Sequence, residues 1–315
     1  MQAVFYEKYG NADVLRFGEQ PKPVPKESQL LVRVHATSVN PIDWKVRSGQ
    51  LLPVSGLSFP KIPGRDVAGE VVALGSKVLA FESGDRVYGM ADNKLGGAYA
   101  EYAVISEETA VPIPANLDYL KAAAVPLTAL TALQGLRDKG ELASGDKVLI
   151  NGASSGVGTF ALQIAKALGA GKVVGVCGTS HIELVKSLGA DGVIDYTKDD
   201  FTETRNCYDL IFDAVAKSSY LESKRSLCHH GRYVTTVPDP KDIAFGFAFS
   251  VFSDKKLKAI FTDDKGEDLA LISAWIEKGS IKPIIDSVYP LHAAAEAHKY
   301  SEQGHAAGKI VLQVI

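Results

Sequence analysis

Residues 148–166 read VLINGASSGVGTFALQIAK: an apolar run, a burst of small residues, then apolar side chains at helical spacing. A strand, a tight turn and a helix fit that order. Such a turn lets backbone N–H groups at a helix N-terminus face a pyrophosphate. Gly156 would admit a ligand close to the backbone, and Gly158 would let the helix pack closely on the strand. A purely structural turn can read the same way, so the surroundings decide.

Downstream, KVVGVCG, GVIDY, YDLIFDAV and GRYVTTV read as further strands, alternating with the helix-like IELVKSLGA and SSYLESKRSLCHH. Strands alternating with helices from about residue 120 onward predict an α/β domain built on a doubly wound parallel sheet with helices on both faces. Their near-continuous apolar runs suit burial on both faces. Upstream, QLLVRVHATSV, DVAGEVVALG, GDRVYGM and GAYAEYAVI are strand-length runs punctuated by Gly and Pro, which predicts a β-rich domain. After Val237, PDPKDIAFGFAFSVF fits either a loop with a strand or a short helix. DLALISAWIEKG reads as a helix ending at Gly279, and PIIDSVYP, AAAEAHKYSE and GKIVLQVI close the chain.

The 315 residues are 46% hydrophobic and 23% charged, with a formal net charge of −3. That length favours two domains. The charge offers nothing to a phosphate backbone, so nucleic acid is not an expected partner. Cys177, Cys207 and Cys228 are scattered without C-x-x-C spacing, which suits a reducing compartment and argues against a structural zinc knuckle. No basic segment followed by an apolar one opens the chain, and no apolar stretch is long enough to span a bilayer. A soluble, cytoplasmic protein without a membrane span is expected.

The strand after the glycine turn bears on the cofactor. An NAD site usually carries Asp or Glu about 20 residues past the glycines. Here VVGVCGTSHIE has none at that place; Thr179, Ser180 and His181 can instead donate to a 2′-phosphate. NADPH is therefore the expected cofactor, although Ser180 and His181 can equally cap the next helix.

The runs PGRDVAGEVVALGSKVLAFESGDRVYG, GAYAEYAVI, AAAVPLTALTAL and NGASSGVGTFALQIAKALGA together resemble the medium-chain dehydrogenase/reductase superfamily, in its zinc-independent quinone oxidoreductase (zeta-crystallin-like) branch. SVNPIDWKVRSG, ELVKSLGADGVIDY and GHAAGKIVL are similar to the chloroplast envelope quinone oxidoreductase homologue group, which includes plant alkenal/enone reductases. The resemblance implies a GroES-like catalytic domain over residues 1–122, completed by 288–315, and an NADPH-binding Rossmann domain over 123–287. It also implies an active site in the cleft between the two domains and a homodimer.

Zinc-dependent members carry Gly-His-Glu where this chain has Gly64-Arg65-Asp66, and their first catalytic cysteine falls in the region Ser38–Pro41. A catalytic zinc needs three protein ligands from Cys, His or acid, so no metal is expected here. Without a Lewis acid, the substrate must already be electrophilic, as enones and quinones are, and a fixed donor must stabilise the oxygen that gains charge. The resemblance implies Asn40 and Lys45 as catalytic residues; from spacing alone, Lys45 reads equally as a surface lysine running past Trp44. Asp43 would brace the loop or pair with Arg47, and Arg65 would pair with Asp66 or line the site.

For the cofactor, the resemblance implies Thr128 beside the nicotinamide and Ser155, Gly156 and Val157 on the pyrophosphate. It implies Thr179, Ser180, His181 and Tyr196 at the 2′-phosphate end, with Val215 and Val237 at the carboxyl edge of the sheet. Lys309 would reach the cofactor or face solvent. His229 and His230 would end a helix, where positive charge suits the dipole. The expected function is NADPH-dependent hydride transfer to a small-molecule enone, enal or quinone. The alternatives are a strict quinone reductase, or a nucleotide-binding structural protein with vestigial catalysis.

Overall fold

A computed structural model describes residues 1–93, 95–236 and 253–315, so Val237 and the whole of PDPKDIAFGFAFSVF lie outside the described residues. The chain forms two compact units: residues 1–127 with 264–279 and 283–315, and residues 128–263 with 280–282.

The first unit opens with the antiparallel pair β1 (Gln2–Phe5) and β2 (Arg16–Glu19), followed by β3 (Gln29–Val39), β4 (Asp66–Leu74), β5 (Arg86–Met90), β6 (Tyr102–Ser106) and β7 (Val111–Pro112). The second unit contains β8 (Lys147–Asn151), β9 (Lys172–Cys177), β10 (Gly192–Asp195), β11 (Tyr208–Asp213), β12 (Leu227–Thr235) and β13 (Lys256–Ala259). The chain then returns to the first unit with β14 (Ile285–Pro290) and β15 (Lys309–Gln313).

In the second unit the order is β10-β9-β8-β11-β12-β13, with every pair parallel. The strand order reverses between β8 and β11, the switch point outside which open α/β sheets hold ligands. Val148, Leu149 and Ile150 of β8 are all fully buried, as a central strand covered on both faces requires. The helix Gly156–Ala167 leaves β8 through the glycine turn and buries Phe160, Ala161, Ile164 and Ala165. It stops at Leu168, where Gly169 takes the left-handed conformation common just past a helix end.

In the first unit the order is β14-β15-β3-β4-β5-β7, and β6 also pairs with β3. The eleven residues of β3 let it serve two partners on one edge, β6 along Gln29–Arg33 and β15 along Ala36–Val39. The last strand is thereby bonded directly to the stretch leading into Asn40. Leu30, Val32, Val34, Val67, Val71, Val87 and Ile105 form its buried core.

Two segments differ from expectation. The helix Gly266–Glu277, counted above with the second domain, packs on the first unit: Tyr88 Oη and Ser273 Oγ are 2.6 Å apart, and Asn116 Nδ2 donates to Ile276 O at 2.9 Å. The stretch SSYLESKRSLCHH is helical only over Tyr220–Ser223, followed by a 3-10 turn, and β12 begins at Leu227. His229 and His230 therefore lie on a strand rather than a helix end, because Leu227 is already paired with Tyr208 of β11. Among the described residues, no helix is long and apolar enough to cross a membrane.

Candidate functional site

In the second unit, Gly152 has φ +75°, a conformation that an L side chain rarely adopts, and a Cβ there would meet Val215 Cγ1 at 2.4 Å. Gly158 needs its small size for packing: a Cβ would stand 2.1 Å from Gly152 O. Ser155 is the N-cap, and its Oγ accepts from Gly158 N at 3.1 Å. Among the described residues, the N–H groups of Gly156 and Val157 have no protein acceptor. Two unpartnered donors at the start of a twelve-residue helix fit an anionic phosphate group.

Val215 is held over this turn by Asp213, whose side chain is wholly buried. Asp213 Oδ1 accepts from Asn151 Nδ2 (3.1 Å), Val215 N (3.1 Å) and Ala216 N (2.9 Å), and Oδ2 accepts from Tyr233 Oη (2.7 Å). Burial raises its carboxyl above the usual range, against the pull of these donors. One side chain therefore ties β8, the loop after β11, and β12 together.

At the carboxyl ends of β9 and β10, Cys177 is level with Asp195. Asp195 Oδ2 accepts from Thr179 Oγ1 at 2.6 Å, and Oδ1 accepts from Thr197 Oγ1 at 2.8 Å and Thr197 N at 3.1 Å. Those donors, Thr179 first, lower its carboxyl to about 2. Lys198 Nζ stands 3.6 Å away on an exposed side chain. Thr179, Ser180 and Tyr196 are exposed and His181 is half-buried; the Tyr196 ring lies beside Gly178, whose Cβ would be 3.3 Å from the phenol oxygen.

In the first unit, a buried polar cluster surrounds Asp66, itself inaccessible to solvent. Its Oδ2 accepts from Ser38 Oγ at 2.5 Å and Asn40 Nδ2 at 2.7 Å, and its Oδ1 accepts from Leu127 N at 2.8 Å. Lys309, 3% exposed, places Nζ 3.5 Å from Asp66 Oδ2, 2.5 Å from Asn40 Oδ1 and 3.2 Å from Val39 O. Ser38 and Asp66 fall in the two stretches, 38–41 and 64–66, that the resemblance sets against the metal site of zinc-dependent members. Here the carboxylate is taken up by protein donors and an ammonium, which does not fit a metal ion. Among the described residues, no group of three or more His, Cys, Asp and Glu could hold one.

The helix Pro41–Arg47 starts from this cluster. Asn40 is its N-cap, Pro41 occupies the first turn, and Asp43 Oδ2 accepts from Asn40 N at 2.8 Å. The carboxyl of Asp43 is pushed up to about 7, chiefly by burial, and its Oδ1 is buried without a partner among the described residues. Tyr99 Oη donates to Asp43 Oδ2 at 3.4 Å and is 3.1 Å from His298 Nε2; His298 Nδ1 is 3.1 Å from Arg47 Nη1. A guanidinium only donates, so Nδ1 must be the acceptor and the ring proton must sit on Nε2. The bonds then run in one direction, Arg47 to His298 to Tyr99 to Asp43. Burial, then Arg47, depresses the imidazole to about 3.

Lys45 lies on this helix, half-buried, with Nζ 5.6 Å from the centroid of the Trp44 ring. Burial lowers its ammonium from the ordinary value. Among the described residues, it has neither an ion pair nor a hydrogen-bond acceptor.

Ser155, Gly156, Val157 and Val215 therefore meet around one turn, and Thr179, Ser180, His181 and Tyr196 gather at one edge of the same sheet. Thr128 is buried in the helix Pro126–Gln134, and Val237 lies outside the described residues. Arg65 pairs with Asp264 at 3.0 Å rather than with Asp66, and Arg47 pairs with Glu302 at 2.6 Å rather than with Asp43. Asp66 is already saturated, and Asp43 sits above the usual carboxylate range. Lys309 does not face solvent. No sequence signal marks Asp195, Lys198 or Asp213, and the spacing of His298 points to no partner. Only the helix at residue 41 had a local signal, Asn-Pro followed by Asp at the third helical position.

Two family models match the chain: an alcohol dehydrogenase GroES-like domain over residues 26–115 and a zinc-binding dehydrogenase over residues 188–312. A chloroplast envelope quinone oxidoreductase homolog of Arabidopsis thaliana is 36% identical, over 99% of this chain and 98% of its own. An NADPH-dependent alkenal/one oxidoreductase, chloroplastic, of the same plant is 35% identical, over 100% of this chain and 80% of its own. The solved quinone oxidoreductase from Coxiella burnetii superposes with a TM-score of 0.90 at 31% identity, covering 100% of this chain and 99% of that one. A β-rich domain with a GroES-like match, a Rossmann sheet and full-length relatives of this kind make the chain an oxidoreductase of the medium-chain dehydrogenase/reductase superfamily, akin to the quinone oxidoreductases.

Proposed function

We propose that this oxidoreductase reduces α,β-unsaturated carbonyls or quinones with NADPH and without a metal ion. The observation that carries this reading is Lys45, a half-buried ammonium with neither an ion pair nor a hydrogen-bond acceptor in the described structure, on a helix whose neighbouring carboxylate cluster is closed to a metal. The relatives named for quinone and for NADPH-dependent alkenal/one oxidoreduction support it.

Bound NADPH supplies a hydride. When the β-carbon of an enone accepts that hydride, the electron pair moves through the conjugated system onto the carbonyl oxygen. The Lys45 ammonium stabilises that oxygen, and water supplies the α-proton that completes the saturated ketone. With a quinone, the same ammonium faces the ring oxygen that becomes a phenolate and then takes a proton. A preoriented cation costs little reorganisation as charge develops, which is how such a group lowers the barrier.

The unpartnered N–H groups of Gly156 and Val157 take the pyrophosphate. Ser180, His181, Tyr196 and the exposed Lys198 take the 2′-phosphate. Asp195 would oppose that phosphate, but Thr179 and Thr197 already occupy its oxygens, and Lys198 adds a positive charge beside it. NADPH rather than NADH follows from that balance. Thr128 and Val215 complete the nucleotide's surroundings. The reading is tested by following NADPH absorbance with a medium-chain enone and with a benzoquinone, for the natural chain and for Lys45→Met. Loss of turnover in the variant supports it; equal turnover at saturating NADPH removes Lys45 from the chemistry.

A further inference from the structure

Lys309 opens the last strand, 269 positions beyond Asn40, yet its ammonium lies against that residue. An ammonium has three protons and no lone pair. The three oxygens around Nζ, from Asn40, Val39 and Asp66, account for all three directions. Nothing remains to reach a phosphate or ribose. Taking a lysine this far from water is costly unless it is paired and bonded, and Lys309 is both.

Asn40 is gripped at both ends of its amide. Its Oδ1 receives Lys309, and its Nδ2 donates to Asp66. Its backbone N–H is held in turn by Asp43, and the residue itself begins the helix Pro41–Arg47. With its amide fixed in this way and 1% exposed, Asn40 has little to offer a substrate directly.

We infer that Lys309 is a positioning residue, a built-in cation that locks Asn40 and Asp66 and so fixes the helix presenting Lys45. Its effect on turnover rests on the function proposed above; its effect on the helix does not. The arrangement places a lysine from the C-terminal strand within a carboxylate cluster that holds no metal-ligand set.

Lys309→Met alone leaves Asp66 as a buried, unbalanced carboxylate, so the neutral pair Asp66→Asn/Lys309→Met is studied beside it. Hydrogen exchange of the amides of residues 44–49 needs no substrate. It should accelerate at least about tenfold in the double variant, while β5 and β8 keep their protection. Turnover should fall at least about tenfold, with KM for NADPH changed less than about twofold. Unchanged exchange across the helix in the double variant overturns the inference. A KM for NADPH raised about tenfold or more at constant kcat overturns it too, and makes Lys309 a cofactor ligand. If the natural chain turns over neither enone nor quinone, the proposed function fails, and the exchange result still decides the role of Lys309.

Discussion

Replacing Asp43 by Asn should uncover a pH dependence of stability that His298 now cancels. The Asp43 carboxyl, raised from 3.8 to about 7, keeps in the folded chain a proton that the unfolded chain loses. His298, lowered from 6.5 to about 3, lacks in the folded chain a proton that the unfolded chain carries. The first effect makes stability fall as pH rises from about 4 to 7; the second makes it rise with pH from about 3 to 6.5. Each has a slope of about 1.4 kcal/mol per pH unit, so across their shared window they offset one another. Asp43→Asn removes the falling contribution. Its stability relative to the natural chain should rise by about 2 kcal/mol between about pH 4.5 and pH 6. His298→Gln removes the rising contribution and should lose about the same amount, relative to the natural chain, over that interval. Urea unfolding at three pH values in that window measures both, and every other titrating group drops out of the difference. An Asp43→Asn curve that runs parallel to that of the natural chain would refute the reasoning, because it would mean that Asp43 ionises normally in the fold.

Lys45→Met should lower kcat by about 100- to 1000-fold, the usual cost of losing one preoriented electrostatic group, while far-ultraviolet dichroism stays unchanged. Because burial lowers the Lys45 ammonium, the natural chain should lose turnover with rising pH before the ordinary lysine value of 10.5, and the variant should show no such limb in its pH–rate profile. Lys198→Glu should raise KM for NADPH at least about tenfold and leave KM for NADH within about twofold, since only the former carries the extra phosphate. Gly158→Ala places a methyl group 2.1 Å from Gly152 O, so the helix must move. The shift should cost about 1–3 kcal/mol in thermal or urea unfolding and weaken NADPH in calorimetric titration.

The sheet of the second unit is legible at its centre, where β8 and β9 are buried on both faces and appear as unbroken apolar runs, whereas the edge strand β13, with Lys256 and Lys258 alternating, leaves no such run. The glycine turn was legible for a related reason: a positive φ at Gly152 and a contact at Gly158 that excludes any side chain both demand glycine. The helix at residue 41 is announced by Asn40, Pro41 and Asp43, but its seven residues give too few turns for apolar periodicity to show. Lys309 was ambiguous in the sequence. A lysine at the start of a strand can face water or the interior, and what settles it is the pairing of β15 with β3, across most of the chain. Asp195 escaped notice for a similar reason. It sits one strand beyond the place where a ribose-binding carboxylate is sought, and only the register with Cys177 brings it level. The chain Arg47–His298–Tyr99–Asp43 joins three distant stretches, and no local pattern marks it.

The central claim is metal-independent hydride transfer from NADPH to a conjugated acceptor. It is tested most directly by stopped-flow absorbance of NADPH with chelator-treated protein, first with a medium-chain enone, then with a benzoquinone, and again with NADH in place of NADPH. The expected result is acceptor-dependent oxidation of NADPH, undiminished by the chelator and slower with NADH. Oxidation that vanishes on chelation and returns with added zinc, or NADPH that remains unconsumed beside both acceptors, would contradict it.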